Sequence, residues 1–155
     1  MRIELSKNEL LFDIRNKSHN EVSVITDAEV RYRAEAGTDK LDEIERNIIS
    51  SLSTLSQIAG RYSAIDMTPY ASNSAGLPDY LVLDFTFSER RLDGKAQALT
   101  DAIHSFLVDN TLALFYETVS LADFQTKRAA QAAVDAQLLE HLIFTKKPPY
   151  MTRHI

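Results

Sequence analysis

Eleven of the eighteen residues from Ala102 to Val119 are apolar, among them Ile103, Phe106, Leu107, Val108, Leu112, Phe115 and Tyr116. On a helix these positions leave no wide polar face, so the segment must be covered on most of its sides. The chain is therefore expected to be mainly α, a helical bundle around a long central helix at about 95–119. At 155 residues it is long enough for one real core. The expected division is a single helical domain over 1–145 and a basic, proline-containing tail over 146–155.

The flanking segments supply the rest of the bundle. Ser6-Lys7-Asn8-Glu9 has the spacing of a capping box and predicts a helix over about 7–18, with Leu10, Leu11 and Ile14 as its apolar positions. Thr26-Asp27-Ala28-Glu29 repeats that logic before a short, exposed helix that Gly37 can stop. Leu41, Ile44, Ile48, Leu52, Leu55, Ala59 and Tyr62 recur every three or four residues, so 39–62 reads as a long amphipathic helix. Its other faces lose charge after two turns and carry Asn47, Ser50, Ser51, Ser53, Thr54, Ser56 and Gln57, small enough for another helix to come close. Ser120-Leu121-Ala122-Asp123 separates the central helix from an alanine-rich last one at 121–145, and so tight a turn predicts an antiparallel helical hairpin.

Between these helices lies one minor β element. In 80–87, Leu81, Leu83, Phe85 and Phe87 alternate with Tyr80, Val82, Asp84 and Thr86. A lone strand leaves its main chain unsatisfied. Its partner is to be sought in Arg2-Ile3-Glu4-Leu5, in a piece of 19–25, or in a neighbouring subunit, and Tyr80 and Val82 become candidate contact residues. Pro69, Gly76 and Pro78 with Ser72, Asn73 and Ser74 make 63–79 a long loop, of the kind that binds partners or orders against them.

Composition excludes more than it suggests. Without cysteine there is no disulfide framework, thiolate zinc site, iron–sulfur cluster or cysteine nucleophile. No apolar run approaches the roughly 18–20 residues of a membrane span, and no signal peptide is visible after Met1. A soluble chain in the cytoplasm, or one built into a particle, is expected, with no membrane contact. The formal net charge of −5 is spread evenly, which disfavours direct nucleic-acid binding. The local exception is Lys146, Lys147 and Arg153 beside Pro148-Pro149-Tyr150, a stretch free of acid that reads as a solvated end or a stiff docking peptide.

Candidate chemistry is sparse. His104 follows Asp101 by three residues, the arrangement of a base oriented by a carboxylate, and Glu117 or Glu140-His141 could add ligands. The spacing matches no helical zinc or di-iron motif. Nucleotide cradles and the hydrolase elbow are missing too, so neither enzyme activity nor a cofactor is expected. Asn110, set among Ile103, Phe106, Leu107 and Leu114, reads as an amide that fixes helix register. Arg90-Arg91 at the strand-to-helix connection could bind a carboxylate of a neighbouring chain.

The run from Val82 to Arg91, then Leu99-Thr100-Asp101-Ala102-Ile103-His104-Ser105-Phe106-Leu107-Val108 and Leu114-Phe115-Tyr116, and the alanine-rich helix ending Thr145-Lys146-Lys147-Pro148-Pro149 resemble small uncharacterised proteins of prophage-like regions in Bacteroides-type bacteria. The helical hairpin also resembles, in layout, the head–tail connector and neck proteins of tailed phages. That resemblance implies a ring-forming adaptor with no catalytic residues, acting on copies of itself and on other structural proteins. The alternatives are a small metal- or base-dependent enzyme centred on His104, and a regulatory protein-binding module of antitoxin or anti-repressor type.

Overall fold

The computed structural model describes residues 1–60, 63–67, 70, 77–87, 92 and 94–143. In chain order the elements are β1 (Arg2–Ser6), α1 (Lys7–Val22), α2 (Ala28–Ala34), a single 3-10 turn (Thr38–Lys40), α3 (Leu41–Ala59), β2 (Tyr80–Asp84), α4 (Ala96–Thr118) and α5 (Ala122–Ile143). The chain is mainly helical, with one small antiparallel sheet, as the apolar pattern of 102–119 requires.

α4 occupies the middle of the bundle and packs against α1, α3 and α5. Leu99, Ile103, Leu107, Leu112, Phe115 and Tyr116 are each sealed from solvent, and one contiguous apolar cluster runs from Ile3 to Ile143. α3 turns Ile44, Ile48, Leu52 and Leu55 onto that core. Its small residues split by face: Ser51 is buried against Thr111 of α4, 3.2 Å between hydroxyls, while Ser50, Ser53, Thr54 and Gln57 lie outside. Asn110 donates to Ser51 Oγ at 2.9 Å, which gives its amide a partner on α3.

Local signals set the helix ends. Ser6 Oγ accepts from the Glu9 N–H, and Asp27 Oδ1 accepts from the N–H groups of Glu29 and Val30. α1 continues to Val22, past the expected end near 18, because Ser18 and Val22 both face the core and Ser18 Oγ receives the Ala36 N–H at 2.8 Å. α4 ends in a Schellman motif: Leu121 N–H donates to Tyr116 O and Ser120 N–H to Glu117 O. Ser120 takes the left-handed conformation there, with φ of 61°. The short connection folds α5 back along α4 as the expected hairpin.

β2 ends at Asp84, earlier than the expected 87, and Phe85 continues it only as an isolated bridge to Ile65. Its partner is β1, one of the alternatives open from the sequence, in the register Ile3 opposite Leu83 and Leu5 opposite Leu81. Met1 and Phe85 exchange both main-chain hydrogen bonds, at 2.7 and 3.0 Å, and Lys7 N–H donates to Asp79 O. Antiparallel pairing alternates, so Ile3 and Leu5 bond across to β2 while Arg2 and Glu4 turn their N–H and C=O groups away from it.

The far edge of β2 does not wait for an outside strand. Tyr70 Oη donates to Val82 O at 3.0 Å and accepts from Val82 N–H at 2.9 Å, and Thr86 N–H reaches Ser63 Oγ at 2.8 Å. The open edge therefore belongs to β1. Among the described residues, nothing hydrogen-bonds the outward main chain of Glu4.

Candidate functional site

A groove of about 540 Å³ lies beside β1. Glu4, Leu5 and Ser6 form one wall, the first turns of α1 another, and the first turns of α4 the third. No β2 residue lines it, which puts it on the side of β1 away from the ladder.

The groove is acidic. Glu4, Glu9, Asp13 and Asp101 border it without a lysine or arginine among the lining residues. Phe12 on α1 is 61% exposed at this wall, a large apolar residue that the core does not use.

At its end stands the expected histidine, with an unexpected partner. His104 Nε2 lies 2.6 Å from Asp13 Oδ2, a carboxylate ninety-one positions away on α1. Asp101 is exposed and takes its hydrogen bond from Gln97 Nε2 at 2.9 Å. Asp101 and His104 thus share the groove, but Asp13 orients the imidazole. Glu117 sits thirteen residues further along α4, about 20 Å at the helical rise, and does not converge on them. Among the described residues, no group of three His, Asp or Glu is placed to hold a metal ion.

The interaction candidates fare differently. Tyr80 is 63% exposed on the outer face of the sheet. Val82 is half-buried, and Tyr70 takes up its main chain. Arg90, Arg91, Lys146, Lys147, Pro148, Pro149 and Tyr150 lie outside the described residues.

A second cluster, missed from the sequence, ties α1, α4 and α5 together. Arg128 Nε donates to Glu21 Oε1 at 2.6 Å, and its Nη1 donates to Asp109 Oδ1 at 2.7 Å. Lys17 Nζ stands 3.7 Å from the same Asp109 oxygen, and Tyr116 Oη donates to Glu21 at 3.3 Å. Asp135 is buried beside Asp109 and receives Gln131 Nε2 at 3.4 Å. Burial, then the hydrogen bond and charge of Asp109, push the Asp135 carboxyl up to about 7. Two cations thus face three carboxylates, and one proton on Asp135 neutralises the set and gives its buried Oδ2 a hydrogen bond to make. Burial and the Glu21 charge raise the Tyr116 hydroxyl above its ordinary range. The cue was present only as charges in an alanine-rich helix, and spacing along one helix does not report contacts across three.

No helix among the described residues is long and apolar enough to cross a membrane. In comparisons with known proteins, no family model, no curated protein and no solved structure matches the chain.

Proposed function

We propose that the chain is a non-enzymatic assembly protein that takes an extended, basic segment of a protein partner along the open edge of β1. The single observation behind this reading is the outward main chain at Glu4 beside a carboxylate-lined groove. A strand added there would find main-chain donors and acceptors on Arg2 and Glu4, as in other cases of β-augmentation. Four such hydrogen bonds at about 0.5–1.5 kcal/mol each do not by themselves offset the cost of association. The Phe12 ring and the carboxylates of Glu4 and Glu9 must supply the remainder, which makes the site selective for lysine or arginine next to an apolar residue. Self-association and contact with other structural proteins, including a head–tail connector or neck role in a phage-like particle, fit this mode of binding.

The test is an NMR titration of the labelled full chain with the hexapeptide Lys-Val-Lys-Thr-Lys-Val and its Glu-for-Lys counterpart. The basic peptide is expected to shift the Arg2 and Glu4 amides, and the acidic one to leave them in place. Equal response to both, or none to either, removes the reading.

The His104–Asp13 pair favours a second reading, an enzyme using the imidazole as a base. Metal analysis of the purified protein and a His104→Ala variant discriminate: selective loss of an activity with the fold retained supports the enzyme. Gene neighbours separate assembly from regulation, since capsid, portal and tail genes favour the former and a toxin gene the latter.

A further inference from the structure

Arg2 and Glu4 turn their main chains away from β2, and their side chains lie exposed on the outer face of the sheet, opposite Asp84 and Val82. Among the described residues, nothing hydrogen-bonds these outward N–H and C=O groups. The two side chains carry opposite charge and flank Ile3. Run antiparallel to itself, Arg2-Ile3-Glu4 is therefore its own complement.

Geometry selects the register. When two antiparallel strands are related by a two-fold axis, outward groups must meet outward groups, or no ladder forms. The axis then passes through Arg2, Ile3, Glu4 or Leu5. At Arg2 it sets two arginines face to face, and at Glu4 two glutamates, both destabilising. At Leu5 it drives Arg2 against Asn8 in the first turn of α1. At Ile3 it places each Arg2 opposite the other copy's Glu4, with main-chain hydrogen bonds exchanged at both positions. Arg2 already holds Asp84 through Nε at 2.9 Å, which leaves its Nη groups to meet a second carboxylate. Asp84, Arg2 and the second copy's Glu4 then alternate in sign across three strands.

We infer that the open edge of β1 takes the β1 edge of a second copy, antiparallel about a two-fold axis at Ile3, so that two small sheets join into one. This rests on the strand-addition reading above and names its partner, since Arg2-Ile3 is itself an arginine next to an apolar residue. The contact is isologous and closed. It is also short, and it brings the remaining carboxylates of two grooves near each other, so it belongs to the weak class that forms at high local concentration.

The experiment uses the full chain and two variants, Arg2→Glu and Glu4→Arg, both at exposed side chains. Between about 20 µM and 1 mM the wild type is expected to sediment increasingly as a dimer, with hydrogen exchange at the Glu4 amide slowed about tenfold at the upper end. Each variant alone sets like charges across the axis and should stay monomeric. Their equimolar mixture sets opposite charges at both positions and should regain the dimer and the protection. A mixture that stays monomeric while the wild type dimerises overturns the pairing, as does a dimer with unchanged exchange at Glu4, which would be joined elsewhere. A wild type monomeric at 1 mM whose Arg2 and Glu4 amides still respond to Lys-Val-Lys-Thr-Lys-Val overturns the second copy and leaves the groove reading standing. Response to neither overturns both.

Discussion

Arg128 on α5 meets Glu21 on α1 at 2.6 Å, with side chains only 14% and 10% exposed, and so ties the last helix to the first across 107 positions. The same guanidinium holds Asp109 of α4 at 2.7 Å. Three helices therefore share one cation, and its removal takes the closest cation from two buried carboxylates, leaving Asp109 with Lys17 at 3.7 Å and Glu21 with the Tyr116 hydroxyl at 3.3 Å. Arg128→Ala is expected to cost about 3–5 kcal/mol, the penalty of breaking a buried pair from one side. Urea unfolding of variant and wild type measures it, and a loss below about 1 kcal/mol would place the cluster in contact with water.

Asp135 gives this cluster a pH dependence of unusual sign. Its carboxyl titrates near 7 in the fold against an ordinary value of 3.8. A raised carboxyl binds its proton more tightly in the folded state, so its contribution is complete below about 4 and is lost as pH rises to about 7. Asp135→Asn keeps a donor toward Asp109 and cannot ionise. The variant should match the wild type near pH 4 and exceed its stability by about 1–3 kcal/mol at pH 8. The upper figure follows from about 1.36 kcal/mol for each pH unit separating the folded and unfolded titrations, reduced by local relaxation. Thermal melts from pH 4 to 8 decide the matter; parallel curves would mean that Asp135 is ionised throughout.

What the amino-acid order makes readable follows from the range of the interactions. Ser6 and Asp27 cap helices through N–H groups two or three residues away, and the three-to-four spacing from Ile44 to Ala59 faces one core, so these elements are local in cause. The apolar wrap of α4 marks it as central for the same reason. Asp13 and His104 meet only because α1 crosses α4, and Tyr70 reaches Val82 only after the sheet has closed. Their side chains are ordinary surface types, and no periodicity distinguishes a carboxylate that faces water from one that faces an imidazole or an arginine. The groove was thus half legible: His104 and Asp101 stood out, whereas Phe12, Asp13 and the outward edge at Glu4 depended on register.

Ser120 holds φ at 61° to close the Schellman turn between α4 and α5. A side chain in that conformation costs about 1–2 kcal/mol, and glycine escapes it at the expense of a more flexible unfolded chain. Ser120→Gly should therefore raise stability by about 0.5–1 kcal/mol, and Ser120→Val should lower it. Denaturant midpoints of the two variants, at unchanged slope, check both signs.

Register makes the sharpest distinction between neighbouring residues. The Leu5 N–H points to β2 opposite Leu81, whereas the Glu4 N–H points to the groove. Proline removes an N–H and demands an extended residue before it, which β1 provides in both cases. Glu4→Pro should thus fold with stability within about 0.5 kcal/mol of the wild type, as proline does at an outward position of an edge strand. Leu5→Pro deletes a ladder bond and a sealed side chain together and should cost more than about 3 kcal/mol. Circular dichroism melts of the two single variants give the comparison, and equal damage would mean that β1 is paired one residue out of the register that opens its edge to the groove.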